Sequence, residues 1–121
     1  MDTIVAGIDF SKSSLTALKV SIDVAARASA DLHIVWVETV EMDYDKAEEK
    51  LKEYVDKAKE KLDNSDVYYH ILPKGKVYAT LNKAIKEFDA DLLVIGTHGN
   101  SGYDEKFAGA NTYKTITDLA E

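Results

Sequence analysis

A chain of 121 residues with a formal charge of −7 and no cysteine is long enough for one domain with one hydrophobic core. Apolar residues make up 45% of it and charged residues 31%, which is typical of a folded globular protein. The negative charge disfavours binding to nucleic acid or to an anionic membrane, because basic surfaces supply those contacts. The absence of cysteine excludes disulfides and thiolate chemistry and favours a reducing, cytoplasmic location. We therefore expect a single cytoplasmic domain spanning residues 1–121.

The amino-terminal sequence, MDTIVAGIDF, predicts neither a signal peptide nor a membrane span. Asp2 stands where a signal peptide has a basic segment, and the apolar run after it is too short for the hydrophobic region of such a peptide. No apolar stretch approaches the ~20 residues that a bilayer requires. We expect no partner in the membrane.

The first half of the chain predicts strand, helix, strand and helix. Residues Thr3–Ile8 form an apolar run, and the apolar residues after it recur at helical spacing, with Ser11 as the N-cap. Residues Leu32–Val37 are rich in β-branched and aromatic side chains and apolar on both faces, as strands of parallel sheets are. The amphipathic helical pattern that follows begins with Asp45 and Glu48, which resemble a capping box.

The second half repeats the alternation. Residues Val67–Leu72 predict a third strand, a third helix follows, and Asp91–Gly96 predict a fourth strand. A last, short helix is predicted from about Asn111. Its inward face would carry Tyr113, Ile116 and Leu119. The order βαβαβαβα predicts an α/β fold, an open parallel sheet with helices on both faces, because right-handed crossovers place helices there.

A glycine-rich segment follows the fourth strand. The stretch Gly96–Lys114 holds four of the six glycines in the chain, and loops of this length are uncommon without a function. Ligands of open parallel sheets bind beyond the carboxyl ends of the strands, and glycine amides beside a helix N-terminus bind anions. Neither a P-loop nor a G-x-G-x-x-G motif is present. The segment nevertheless predicts a phosphate site.

Three glycines of this region, Gly96, Gly99 and Gly109, have the spacing Gly-x2-Gly-x9-Gly, and with it the sequence resembles the universal stress protein family. The aspartate in GIDFSKSS and the valine that ends VWV fit the same family, and ADLLVIGTHG is the most specific stretch. The resemblance runs from residue 3 to the end of the chain. It implies a Rossmann-like, adenine nucleotide alpha hydrolase-like fold and, as in many members, binding of ATP.

The resemblance also implies which residues contact the nucleotide. Those at the ends of the first two strands would contact the adenine and the nearby ribose: Gly7, Ile8, Asp9 and Val37. Those of the fourth strand and the glycine segment would pass beneath the nucleoside or face the ribose and phosphates: Ile95, Gly96, Gly99, Gly109, Ala110 and Asn111. AMP is a second candidate ligand. Mg²⁺ or Mn²⁺ would accompany the nucleotide, bound mainly through phosphate oxygens and water.

The sequence departs from the family pattern at two places. Ala110 stands where nucleotide-binding members commonly have serine or threonine, so one hydroxyl donor is lost, worth roughly 0.5 to 1.5 kcal/mol. We also expect the chain to lack the fifth strand that helps family members to dimerise, which would leave the fourth strand at an edge. We therefore expect four strands and four helices, with the fifth strand missing and a homodimer partner beside the sheet.

Two hypotheses for the function stay open. The first is a stress-response or signalling domain that binds ATP or AMP with little or no hydrolysis. The alternative is a scaffold of the same fold that has lost nucleotide binding and acts by protein association, which Ala110 favours. A nucleotidyl-transfer enzyme also fits the architecture, but the sequence has no phosphate-reactive histidine motif, and we predict no catalytic residue and no metal ligand.

Several polar residues have simpler interpretations. Asp9 is suited to capping the helix that follows it, and only its combination with the glycine segment favours a ligand role. His98 is expected to order the glycine segment or to lie at the edge of the ribose rather than to act in catalysis. His33 and His70 lie within predicted strands, and no metal-ligand spacing links them, so packing or edge positions are expected.

Overall fold

The structure is a computed structural model that describes residues 2–63, 65–97 and 113–117. Its elements alternate in chain order: β1 (Thr3–Ile8), α1 (Lys12–Ala28), β2 (Asp31–Val37), α2 (Tyr44–Lys61), β3 (Val67–Leu72), α3 (Val77–Phe88), β4 (Leu92–Thr97) and β5 (Tyr113–Thr117). The four predicted strands and the three helices between them are confirmed, and the strand boundaries differ from the predicted ones by at most one residue.

All strand pairs are parallel, and the sheet order is β3-β2-β1-β4-β5. From β1 the chain moves outward through β2 to β3, and then returns to place β4 on the other side of β1. The direction of winding therefore reverses between β1 and β4. In open α/β sheets a crevice opens at this switch point, beyond the carboxyl ends of the two strands.

The predicted carboxyl-terminal helix and the missing fifth strand are both wrong. Residues Tyr113–Thr117 form β5, which pairs with β4 in a register that places Leu93 opposite Tyr113. The outer strands are β3 and β5, so β4 is not an edge. The spacing of Tyr113 and Ile116 fits a helix. The three β-branched residues at 115–117, however, favour an extended backbone, and β4 supplies the hydrogen-bond partners. Asn111 and Leu119, also assigned to that helix, lie outside the described residues.

The core has two layers, because successive residues of each strand point to opposite faces of the sheet. On β2, Leu32, Ile34 and Trp36 pack in the layer beneath α1 and α2. Val35 and Val37 point the other way and pack in the layer beneath α3, with Leu81, Ile85 and residues of β1 and β4. The central strands are thus apolar on both faces, which explains why their sequences show no alternation.

Capping side chains begin the first two helices. Ser11 caps α1 as predicted, its hydroxyl accepting from the amide of Ser14 at 3.2 Å. The N-cap of α2 is Asp43, which accepts from the amide of Lys46 at 3.1 Å, so the capping box assigned to Asp45 and Glu48 is wrong. The helix begins two residues earlier than that motif required. Asp45 instead lies in the first turn, where its negative charge complements the helix dipole.

Asp91, just before β4, fixes the start of β1. Its Oδ2 accepts hydrogen bonds from the backbone amides of Asp2 at 2.7 Å and Thr3 at 3.1 Å. These amides, that of Asp2 foremost, hold the pKa of the Asp91 carboxyl below its ordinary value. The contact therefore stabilises the fold fully above that ordinary value, 3.8, and is lost as the pH falls through the lower folded pKa.

We expect Asp91→Asn to lower the free energy of unfolding at neutral pH and to flatten the loss of this free energy as the pH falls below about 4. Denaturant unfolding at a series of pH values measures this. The matched control is Asp89→Asn, since Asp89 has a left-handed backbone (φ 53°) that asparagine adopts equally well. An Asp91→Asn variant with the wild-type acid profile would contradict the assignment.

Candidate functional site

An open cavity of about 190 Å³ lies at the carboxyl ends of β1, β2 and β4, where the winding reverses. Its walls come from three strands, the residues that follow β1 and β2, the first turn of α1 and one side of α3: Gly7, Ile8, Asp9, Ser14, Val35, Val37, Thr39, Val77, Leu81, Ile95 and Gly96. Complete small-molecule sites usually measure roughly 300–1,000 Å³. The cavity formed by the described residues is smaller than this range, and residues 98–112 lie outside the described residues.

Six of the ten predicted site residues line this one cavity: Gly7, Ile8, Asp9, Val37, Ile95 and Gly96. They come from three separate strands and are brought together because parallel strands end at the same edge of the sheet. The other four, Gly99, Gly109, Ala110 and Asn111, lie outside the described residues. Their phosphate and ribose contacts stay a prediction.

The cavity is also lined by five residues that were not among the predicted site residues: Ser14, Val35, Thr39, Val77 and Leu81. One of them could have been found from spacing. Val35 precedes Val37 by two residues and so shares its face of the strand, whereas the spacing of Val77 and Leu81, one helical turn apart on α3, does not show that this helix reaches the cavity. Sequence spacing alone does not separate a core wall from a cavity wall.

Asp9 presents a carboxylate to the cavity from a fixed backbone. Its Oδ1 accepts from the amide of Ser11 at 2.9 Å, and its own amide donates to the hydroxyl of Ser14 at 3.3 Å. Ser11, not Asp9, caps the helix. The Asp9 side chain is exposed, and its Oδ2 has no hydrogen-bond partner among the described residues. That oxygen is available to accept from a ligand amine or hydroxyl.

The backbone of Phe10, in the turn between β1 and α1, has a conformation that residues other than glycine rarely adopt. Its φ is 67°, in the left-handed region, where a bulky residue costs of order 1–3 kcal/mol. The ring packs 5.6 Å from that of Trp36 and 6.2 Å from that of Tyr54, and the Nζ of Lys50 lies 5.6 Å from its centroid. This packing offsets the backbone cost and fixes the position of Asp9 next to it.

Two cavity glycines allow helices to approach the sheet closely. A Cβ on Gly96 would lie 2.3 Å from the carbonyl oxygen of Ser13 and 2.6 Å from the amide nitrogen of Ser14, so the first turn of α1 leaves no room for it. A Cβ on Gly7 would lie 3.0 Å from Ile95 and 3.2 Å from Leu81. Gly96 therefore has a packing role that the resemblance alone did not indicate.

The chemistry of the described walls is that of a binding site. Asp9 is the one ionisable side chain among the described lining residues, and most of the others are apolar. No group of three or more potential metal ligands is found in the part of the chain that the structure describes. The arrangement can hold a flat apolar group and accept hydrogen bonds at one edge of it. Within residues 2–63, 65–97 and 113–117, no helix is long and apolar enough to cross a membrane.

A parallel sheet with a cavity at its switch point defines a doubly wound α/β protein whose ligand site lies at the carboxyl ends of the strands. Within that class, the chain belongs to the universal stress protein family, whose family model matches residues 1–117. No curated protein sequence matches it significantly.

Solved structures of other family members are similar over nearly the whole chain. A universal stress protein in complex with cAMP is 26% identical, with a TM-score of 0.78 and 96% of each chain covered. The Archaeoglobus fulgidus protein in complex with dAMP is 20% identical, with a TM-score of 0.72, covering 97% of this chain and 98% of its own. An Arabidopsis thaliana member with AMP bound is 16% identical, with a TM-score of 0.75, covering 100% and 95%. At these identities the last two support the fold alone.

Proposed function

We propose that this protein binds an adenine nucleotide, ATP or AMP, in the cavity between β1 and β4 and takes part in a stress response or in signalling. The observation that carries the proposal is the convergence of six predicted site residues, from three strands, on one cavity at the switch point. The complex of a 26% identical family member with cAMP supports the choice of an adenine nucleotide.

The walls of the cavity suit an adenosine. Val35, Val37 and Ile95 on the sheet and Val77 and Leu81 on α3 are apolar and can pack against a flat base. The Oδ2 of Asp9, which has no hydrogen-bond partner among the described residues, can accept from an amine of the base or a hydroxyl of the ribose. Such a bond to an ionised acceptor is worth roughly 1.5–3 kcal/mol.

We propose little or no hydrolysis of the nucleotide. Among the described residues of the cavity, Asp9 has no neighbouring histidine or lysine with which it could activate a nucleophile. Mg²⁺ or Mn²⁺ would be held mainly by phosphate oxygens and water. The Ala110 backbone amide is retained although its side chain lacks a hydroxyl, so we expect weaker rather than abolished phosphate binding.

We further propose one cytoplasmic domain over residues 1–121 that works as a homodimer. The presence of β5 at the edge of the sheet supports the homodimer, because the fifth strand helps members of the family to dimerise. The second candidate function is a scaffold that no longer binds nucleotide, and Ala110 is the observation that favours it.

Val77→Phe tests the site, because the larger ring would occupy the space between α3 and the sheet that we assign to the base. We expect adenosine and AMP to bind at least about tenfold more weakly to this variant, a loss of about 1.4 kcal/mol. The matched control is Val40→Phe, since Val40 is 79% exposed and lies outside the cavity. Isothermal titration calorimetry measures both. Equal affinity in the two variants would place the nucleotide elsewhere, and no binding to wild type would favour the scaffold.

A further inference from the structure

Two histidines on the α3 side of the sheet form a hydrogen-bonded pair. Nδ1 of His33 on β2 lies 2.8 Å from Nε2 of His70 on β3. The ring centroids are 5.0 Å apart and the ring planes differ by only 16°. With the nitrogens this close, the imidazoles must lie side by side in nearly one plane, joined by a single N–H···N bond. The pair is a specific contact and not a chance packing of two edge residues.

The carboxyl-terminal end of α3 rests on this pair. The ring of Phe88 lies 4.6 Å from that of His33 and 4.5 Å from that of His70, so it covers the pair near its middle. Tyr68 flanks His33 at 4.8 Å. Val77, at the opposite end of α3, lines the candidate site. One short helix thus joins the histidine pair to the cavity.

The pair can take up one proton without breaking, but not two. In the neutral pair, one ring donates its N–H to the bare nitrogen of the other. A first added proton goes to an outer nitrogen and leaves that bond intact. A second puts hydrogens on both facing nitrogens, removes the bond and sets two cations side by side beneath Phe88. Acid therefore converts an attractive contact into a repulsive one.

The surroundings of the pair oppose its protonation. Burial lowers the pKa of both histidines, and the charge of His70 lowers the pKa of His33 further, while Asp31 on β2 partly counteracts this. On β3, Asp66 raises the pKa of Tyr68, which stays neutral. The α3 residue that contacts the pair, Phe88, does not titrate. In acid the two histidines therefore bind protons more readily in the unfolded chain than in the folded chain. The free energy of unfolding falls as the pH drops below about 6.5, the ordinary histidine pKa.

We propose that the His33–His70 pair is an acid-sensitive contact that holds α3 on the sheet at neutral pH and loosens it in acid, so that pH regulates the candidate nucleotide site. The pair acts on the site only through the position of α3, because Phe88 and Val77 lie at the two ends of that helix. The regulation of binding rests on the proposed function, whereas the loosening of α3 does not.

The test compares wild type with His33→Gln/His70→Gln, whose amides can still bond across the strands but do not titrate. Each extra proton on the unfolded chain raises the unfolding constant about tenfold per pH unit. From pH 7.5 to pH 5.5 we expect the unfolding constant of wild type to rise at least about tenfold more than that of the variant. Tyr68→Phe, in the same cluster, is the control and should keep the wild-type profile. Identical profiles for wild type and the double variant would overturn the proposal.

Two further measurements separate the parts of the proposal. Hydrogen exchange of the α3 amides, relative to those of β1, should show α3 losing protection in acid in wild type and not in the double variant. Adenosine, which has no phosphate to titrate, should bind wild type several-fold more weakly at pH 5.5 than at pH 7.5, with little change in the variant. A pH effect on α3 without a pH effect on adenosine affinity would overturn the proposed regulation.

If wild type binds no adenosine at pH 7.5, the proposed function fails, and hydrogen exchange still decides whether the pair holds α3. Should the double variant fail to fold, the ring resonances of His33 and His70 in wild type, titrating at ordinary histidine values, would overturn the proposal.

Discussion

Gly96→Ala is expected to destabilise the fold by about 3 kcal/mol, near the upper end of what overpacking usually costs. The added Cβ would lie 2.3 Å from the Ser13 carbonyl oxygen and 2.4 Å from the Ser13 carbonyl carbon. Both are backbone atoms in the first turn of α1, so no side-chain rotation can relieve the clash. The helix or β4 must shift, and the hydrogen bonds that join Asp9, Ser11 and Ser14 must shift with it.

Denaturant unfolding measures this loss, and Gly75→Ala is its matched control. A Cβ on Gly75 would meet only the hydroxyl of Thr80, at 3.3 Å, in an exposed turn. We expect that control to change stability by about 0.5 kcal/mol or less. If Gly96→Ala were equally mild, α1 would not approach β4 as closely as described, and the site geometry built on that approach would be wrong.

Trp36→Ala is expected to cost about 3–5 kcal/mol, the usual loss for a large aromatic side chain in a core. Trp36 is 2% exposed and packs in the layer beneath α1 and α2. Its ring also supports that of Phe10, whose left-handed backbone depends on such packing. Loss of the indole therefore leaves a cavity and removes part of what fixes the turn that carries Asp9.

Thermal or denaturant unfolding of Trp36→Ala measures the cost, and Tyr44→Ala serves as its control. Tyr44 is 45% exposed in the first turn of α2, so the same truncation removes little buried surface there. A loss of less than about 1 kcal/mol for Trp36→Ala would show that this layer is not packed around the indole.

Local sequence patterns predicted the strands and helices as far as residue 97 because there each element carries its own signal. The runs of β1, β2 and β4 are largely apolar on both faces, β3 is rich in aromatic and β-branched residues, and Ser11 has a side chain that can cap a helix. Residues Tyr113–Thr117 show the limit of such reasoning. Their spacing allowed a helix, and only pairing with β4, a contact between distant parts of the chain, makes them a strand.

The candidate site was predictable to a similar extent. Asp9, Val37 and Gly96 follow from their positions at strand ends and from the resemblance to the family. Val77 and Leu81 were missed because α3 reaches the cavity by crossing over the sheet, which no short-range pattern encodes. The contact between His33 and His70 was missed for the same reason, since the two lie on separate strands and meet only in the folded sheet.

The central claim, that the cavity between β1 and β4 binds an adenine nucleotide, is tested most directly by calorimetric titration of the wild-type protein with ATP and AMP in the presence of Mg²⁺. We predict saturable binding of one nucleotide per chain with a submillimolar dissociation constant, for AMP as well as ATP. The absence of binding at millimolar concentrations of both nucleotides would contradict the claim.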